Sequence, residues 1–404
     1  MSRIVARFAT CAVLALGWAG IAQAQDKDPI RIGVLSDFSG YTAPLAGDGS
    51  VAAVQLAVDD FGGEVAGHKI EIIHGDHQNK ADIGAALARQ WFDVEGVNVI
   101  VDVPNSAVAL AVQELARNAN KVVLHSAAGT PALTGKSCSP NGIHWARDTY
   151  AIAASLGNAV VAAGGKSWYF ITADYAFGHS AEAEVGKVVV ANGGTVVGSI
   201  RHPQGTTDFA SYLLQAQSSG AEVVAFANAG TDFSNATKQA QEFGLAQGGQ
   251  KVVGLTPYLT DINALGLDAA QGILLTDVFY WDQNDSTRAW AKRFFEKRNA
   301  MPTSVQADAY EAVTHFLKGI EAGADPKDGA AVVAKMKSLP VSDVLLPSAS
   351  IREDGRLVRD MYLYQVKSPA ESTGPWDYYK LVGTVAGDKV VRPLSTSECP
   401  LVGK

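Results

Sequence analysis

The sequence predicts an α/β chain built as two doubly wound parallel-sheet lobes. Three observations carry this. Strand-like and helix-like segments alternate, which demands right-handed crossovers and parallel sheets covered on both faces. The alternation runs in two series, the second starting after Asp148. About 380 residues remain once an N-terminal export signal is set aside, more than the roughly 250–300 that one core accommodates.

The elements follow in order. Apolar, β-branched runs at 30–35, 69–73, 97–103 and 121–125 read as strands. Helical patterns at 49–61, 81–94 and 107–118 lie between them, stopped by Gly62-Gly63 and Gly96. The second series has strands at 167–172, 195–200, 222–227 and 251–255, with helices at 178–192, 208–219 and 235–243. From Ile273 the rhythm changes: a strand ILLTDVFYW is followed by helices at 286–298, 304–322 and 330–339, then strand-like 359–366 and 378–382. The chain thus returns to the first lobe for its helices and crosses back. The expected division is 25–147 plus 278–355 for lobe 1 and 148–277 plus 356–404 for lobe 2. No low-complexity linker separates them, so the boundary is a set of strand crossings.

Residues 1–24 have the pattern of a cleavable export signal. Arg3 and Arg7 precede an apolar run over 12–21, and Ala22-Gln23-Ala24 is a small-x-small cleavage site. That run is too short for a spanning helix, and Cys11 lies at its start rather than after it, which argues against a lipid anchor. Cleavage after Ala24 removes two of 33 basic side chains and none of 41 acidic ones, for a net charge of −10. This acidic balance argues against nucleic acid or an anionic membrane as partner. Two cysteines, Cys138 and Cys399, survive processing. In an oxidising compartment an even pair suggests one disulfide, the alternative being two unrelated core residues.

Ligands of open parallel sheets sit beyond the carboxyl ends of the strands. The loops there, 37–47, 104–108, 126–134, 173–178, 228–235 and 256–261, are rich in Ser, Thr, Asn, Tyr and Gly, and helix starts offer backbone amides to an anion. Other patterns lead nowhere. His74-Gly75-Asp76-His77 lacks the further ligands that zinc needs and reads as a turn. Gly164-Gly165-Lys166-Ser167 has Val160 where a phosphate loop needs glycine, and it precedes a strand instead of following one. Gly178-His179-Ser180 lacks the closing glycine of a nucleophile elbow. An exported hydrolase therefore has no positive sign.

The motifs IRIGVLSDFSG, LAVDDFGG, DVPNSAVALAVQELA, HSAAGTPALTG, ITADYAFGHS and DAYEAVTHFLKGIEAG resemble those of the periplasmic leucine/isoleucine/valine-binding type of ABC importer receptor, through nearly all of 28–400. The resemblance implies two lobes joined by three crossings and a solute trapped between them by hinge closure. It implies a monomer in the periplasm that needs no cofactor and presents its ligand to a membrane permease. A sensing receptor of the same fold is the alternative. By the same resemblance, the Ser106 hydroxyl meets a ligand carboxylate. Ala128 and Thr130 supply an amide and a hydroxyl, and Phe177, with Tyr175 nearby, closes over the ligand. Asn105 and Ser126 are neighbours of the site, and Ser106 can also be read as a helix N-cap. Amino-acid receptors of this type place an acid after the strand matching 251–255, against the ligand ammonium. Here Thr256-Pro257-Tyr258 stands in that place, so Asp232 and Asp277 are the candidate substitutes, or the ligand lacks an ammonium. Tyr41, Tyr175, Phe177, Tyr258, Tyr280 and Trp281 suit a planar apolar body, which leaves amino acids and aromatic acids both open.

Overall fold

The computed structural model describes residues 27–403; the expected export signal lies outside them. The first series forms a six-stranded sheet of β1 (Ile30–Ser36), β2 (Glu64–Val65), β3 (His68–Asp76), β4 (Val99–Asp102), β5 (Val122–His125) and β6 (Gly142–His144), in the order β2-β3-β1-β4-β5-β6. All pairs are parallel except the β2–β3 ribbon. Helices α1 (Gly47–Asp60), α2 (Ala81–Asp93) and α3 (Ser106–Asn118) make the crossovers. The continuous apolar strands reflect two covered faces. Val99, Val101, Val122 and Leu124 pack against α1 and the helices of residues 285–338, while Ile100 and Val123 pack against α2 and α3. The three-residue β6 was not legible as a strand.

The second lobe opens with a helical stretch that the alternation did not predict: α4 (Thr149–Ile152), a π turn (Ala153–Gly157) and α5 (Asn158–Ala162). Ser155 Oγ bonds back to the Ala151 carbonyl at 2.7 Å within the turn. Strands β7 (Ser167–Ala173), β8 (Thr195–His202), β9 (Val223–Ala227) and β10 (Lys251–Gly254) form a parallel sheet in the order β10-β9-β7-β8. The crossover helices are α6 (Ala176–Ala191), α7 (Ala210–Ser218) and α8 (Thr231–Glu242). Trp168 and Phe170 face α4–α6, whereas Tyr169 and Ile171 face α7 and α8. The short α9 (Leu259–Leu265) and α10 (Leu267–Ala270) lead to β11 (Leu274–Asp277).

The remainder departs from a purely parallel plan. Helices α11 (Asp285–Arg298), α12 (Ser304–Glu321) and α13 (Gly329–Ser338) return to the first core, where Trp290, Phe294 and Phe316 are buried. A ribbon of β12 (Ser350–Ile351) and β13 (Leu357–Val358) follows. The closing strands β14 (Met361–Val366) and β15 (Tyr379–Val385) pair antiparallel with β11 as a separate three-stranded sheet, in the order β11-β14-β15. The tail carries α14 (Gly387–Val390).

The chain passes between the lobes after β6, after β11 and after β13, and a buried ionic network ties these passages together. At the first, Arg147 donates to Asp277 at 2.6 Å, on the second, and to Ser304 Oγ at 2.9 Å. At the third, Arg359 donates to Asp308 and, at 2.6 Å, to Glu311, both on α12. Trp145 Nε1 donates to the same Glu311 oxygen at 2.8 Å, and Arg356 reaches the Ala146 carbonyl. Removing one member of such a network leaves buried charges uncompensated, at a cost of about 3–5 kcal/mol. Arg359→Met is therefore expected to lower the urea midpoint by that equivalent, with the slope unchanged. A wild-type midpoint would remove the network from any role in stability.

Candidate functional site

The loops after β1, β4 and β5 face those after β7, β8 and β9, and four contacts hold them together. The Thr231 amide donates to the Tyr41 carbonyl at 3.0 Å. Asn105 Nδ2 and the Tyr41 hydroxyl both donate to Gln204 Oε1, at 2.7 and 2.9 Å. Phe177 lies against Gly129, where a Cβ would sit 2.9 Å from the ring. Gly230 has φ +61°, and a Cβ there would come within 2.2 Å of the Tyr41 carbonyl oxygen. The loop after β8, with Gln204, is absent from the six loops singled out in the sequence. The strand-end rule that found the others reaches it too.

On the first lobe, backbone strain aims the β4 loop. Asp102 and Val103 have φ of +85° and +56°, rare for residues with a Cβ and costly for a β-branched one. They turn the chain into Pro104, Asn105 and Ser106. Asn105, not Ser106, caps α3, accepting from the Ala107 and Val108 amides at 2.9 and 3.3 Å. The Ser106 hydroxyl is buried and has no hydrogen-bond partner among the described residues. The Ala128 carbonyl is taken by His144 Nε2 at 2.6 Å, which braces the β5 loop from beneath. Burial keeps His144 and its neighbour His125 well below the usual histidine pKa, hence neutral. Thr130 Oγ1 accepts from the Ala132 amide and lines a polar cavity of about 240 Å³ that also reaches Arg356 and Arg392. Ser126 turns inward instead: its hydroxyl faces the Asp102 carboxyl, as do Ser36 at 2.6 Å and Ser50.

On the second lobe, Tyr175 and Phe177 are buried with ring centroids 5.9 Å apart, and Tyr175 meets Tyr41 edge-on at 6.4 Å. Asp232, in the first turn of α8, is fully buried. One carboxylate oxygen accepts from the Gly205 amide at 3.1 Å, and the other has no hydrogen-bond partner among the described residues. Burial pushes its pKa up to about 7, against the pull of the Gly205 and Thr206 amides.

Three expectations need correction. Asp277 is not a free acid, because Arg147 already neutralises it. Tyr258 closes a mixed-lobe apolar cluster with Leu45, Ala46, Ala127, Ala229 and Val305, and its ring lies 4.5 Å from the Arg147 guanidinium. Tyr280 stacks among Tyr364 and Tyr379 in the antiparallel-sheet core, and Trp281 donates to the Trp376 carbonyl, so neither joins the cleft cluster. Arg147, which orders both Asp277 and Tyr258, was missed; an arginine in a loop has no sequence signature that separates it from a solvated one. His74, Asp76 and His77 also do other work. The strand runs on through Asp76, whose carboxylate accepts from Ser39 Oγ and the Phe38 amide, and His77 Nδ1 accepts from the Asn79 amide.

Two doubly wound lobes with polar, helix-capped loops meeting across a three-passage hinge define a two-lobed binding protein. The chain belongs to the periplasmic binding protein family, whose description matches residues 29–374. A periplasmic binding protein from Burkholderia mallei is 44% identical with a TM-score of 0.90, covering 93% of this chain and 99% of that one. A branched chain amino acid ABC transporter periplasmic ligand-binding protein from Burkholderia xenovorans is 40% identical, TM-score 0.81, covering 93% and 100%. The Leu/Ile/Val-binding protein homolog 6 of Brucella abortus is 26% identical over 361 residues, 87% of this chain and 91% of its own length.

Two tests follow from the geometry. Gly129→Ala forces Phe177 aside and is expected to weaken ligand binding without lowering the melting temperature of the ligand-free protein; unchanged affinity would remove Phe177 from closure. Asp102 has a pKa raised by burial to about 7, so its folded-state stability is full below about pH 4 and lost as pH rises through 7. Asp102→Asn, which tolerates the positive φ, is expected to raise the melting temperature at pH 8 and leave it nearly unchanged at pH 4. Equal shifts at both pH values would contradict the burial.

Proposed function

We propose that this chain is the periplasmic receptor of a branched-chain-amino-acid-type ABC importer, trapping a small carboxylate-bearing solute by hinge closure and presenting it to a membrane permease. The similarity to the B. xenovorans protein supports the transporter assignment. The reading includes export to the periplasm with cleavage after Ala24. It takes the lobes as 25–147 plus 278–355 and 148–277 plus 356–404, with the last boundary moved to the end of β13 because Leu357 packs in the first core, and it gives the protein no catalytic role.

Within the cleft, Ser106, with the β5 loop at Ala128 and Thr130, anchors the carboxylate at the start of α3, where helix amides favour negative charge. Phe177, Tyr175 and Tyr41 cover the apolar body. The ligand is an apolar amino acid, and its ammonium pairs with Asp232. The observation that carries this choice is the buried Asp232 carboxylate oxygen that has no hydrogen-bond partner among the described residues. With Asp277 already neutralised, Asp232 is the acid of the two candidates with capacity for a cation.

A second reading rests on the raised pKa of Asp232. A carboxyl that holds its proton near neutrality suits an aromatic carboxylate with no ammonium.

A thermal-shift screen of ligand-stripped mature protein with leucine, phenylalanine and benzoate separates the two. A ligand at 100 times its Kd adds about 2.7 kcal/mol and several degrees. Leucine or phenylalanine is expected to shift the protein, and a shift with benzoate alone would replace the first reading by the second. If Asp232 pairs an ammonium, affinity falls as pH drops from 8 to 6, approaching about tenfold per unit below the Asp232 pKa. Benzoate affinity would hold or rise over the same range. Asp232→Asn is expected to cost the amino acid about 2–5 kcal/mol, and Thr130→Val about 1–3 kcal/mol for either ligand class. Equal losses for leucine and benzoate in Asp232→Asn would remove the ammonium role.

A further inference from the structure

The tail beyond β15 touches both lobes. Val390 of α14 packs with Ala151, Val278 and Met361. Two residues on, the Arg392 guanidinium stacks 4.7 Å over the Tyr150 ring and donates to Glu184 Oε1 of α6 at 2.9 Å, both on the second lobe. The backbone of Arg392 faces the other way: its carbonyl accepts from Arg352 Nη1 at 2.7 Å. Arg352 directly follows Ile351, which with Leu357 is packed into the first core. Seven residues further, buried Cys399 is bonded to buried Cys138, with Cα atoms 5.6 Å apart. The Cys138 segment follows the turn Pro131–Leu133, whose Leu133 packs against α3. The tail is thus covalently fixed to the first lobe at Cys138 and held by Arg392 on the second.

We propose that this disulfide-anchored tail is a clasp across the hinge that favours the closed arrangement, with Arg392 as its staple. The inference rests on hinge closure as the mode of action. The three backbone passages set where the lobes pivot, and the tail adds a fourth covalent link. Its reach is limited rather than rigid. The seven steps from Arg392 to Cys399 span at most about 25 Å when extended, but they now include the turn Leu394–Thr396, closed by Thr396→Pro393 and Ser397→Leu394 backbone bonds. Opening must unwind that turn or strip Arg392 from Tyr150 and Glu184. Without the disulfide, the Arg352 bond to the Arg392 carbonyl still ties the tail to the first lobe, and opening can break that one bond while the turn and the Tyr150 and Glu184 contacts stay intact. Because apparent affinity scales with the competent fraction, the clasp also tunes ligand retention.

Small-angle scattering of ligand-free mature protein tests this without knowledge of the ligand. Wild type is compared with Cys138→Ser/Cys399→Ser and with Arg392→Gln, which keeps the disulfide. Both variants are expected to have a larger radius of gyration than wild type, and ligand affinity about fivefold weaker. Radii equal to wild type in both variants would overturn the clasp. If the double serine variant fails to fold, Arg392→Gln alone decides. Leucine and benzoate are added to wild type as a separate arm: a radius that neither ligand reduces counts against closure by these solutes, whereas compaction by a ligand together with unchanged variants counts against the clasp alone.

Discussion

The buried ionic network at the three passages between lobes is the constraint on which the rest depends. Arg147, Asp277 and Arg359 sit one on each passage, and α12 supplies Asp308, Glu311 and Ser304. Taking so many charges out of water is costly, and well-packed apolar residues would often be as stable. What charges offer is direction. Bonds between named oxygens and nitrogens register the passages against one another, so the lobes pivot about a fixed seam. Burial pushes the Asp308 and Glu311 carboxyls up, and the Arg359 guanidinium between them pulls both back down.

From that seam the cleft inherits its chemistry. Arg147 pairs with Asp277 and lays its guanidinium against Tyr258. On the second lobe the buried Asp232 is held by the loop after β8 through the Gly205 amide. On the first lobe, strain at Asp102 and Val103 aims the Ser106 turn, and His144 props the loop that carries Thr130. Each of these proposed anchors is positioned by a neighbour outside the cleft, and the Ser106 hydroxyl and one Asp232 oxygen have no hydrogen-bond partner among the described residues.

Much of this was legible one strand at a time. Val99–Asp102 and Val122–His125 read as buried strands because both their faces are apolar, and that pattern alone requires helices above and below. Helix starts were less legible: α6 and α8 begin two and four residues earlier than the pattern suggested, since their first turns are built from loop-like residues. The stretch from Thr149 to Ala162 was missed because a π turn breaks the 3.6-residue period. The antiparallel pairing of β11 with β14 was hidden because the partners lie about ninety residues apart and nothing local specifies direction.

The sequence by itself determined the two-lobed α/β architecture, the loops that meet in the cleft and the cysteines available to pair. These depend on local periodicity and on strand ends, which a linear pattern encodes. Tertiary structure alone decided that Asp277 is paired with Arg147, that Ser126 faces Asp102 while the buried Ser106 hydroxyl has no partner among the described residues, and that Gln204 bridges Tyr41 and Asn105 between the lobes. A charged or polar side chain is defined by what stands within about 3 Å of it, and those neighbours come from segments far along the chain, 163 residues apart for Tyr41 and Gln204.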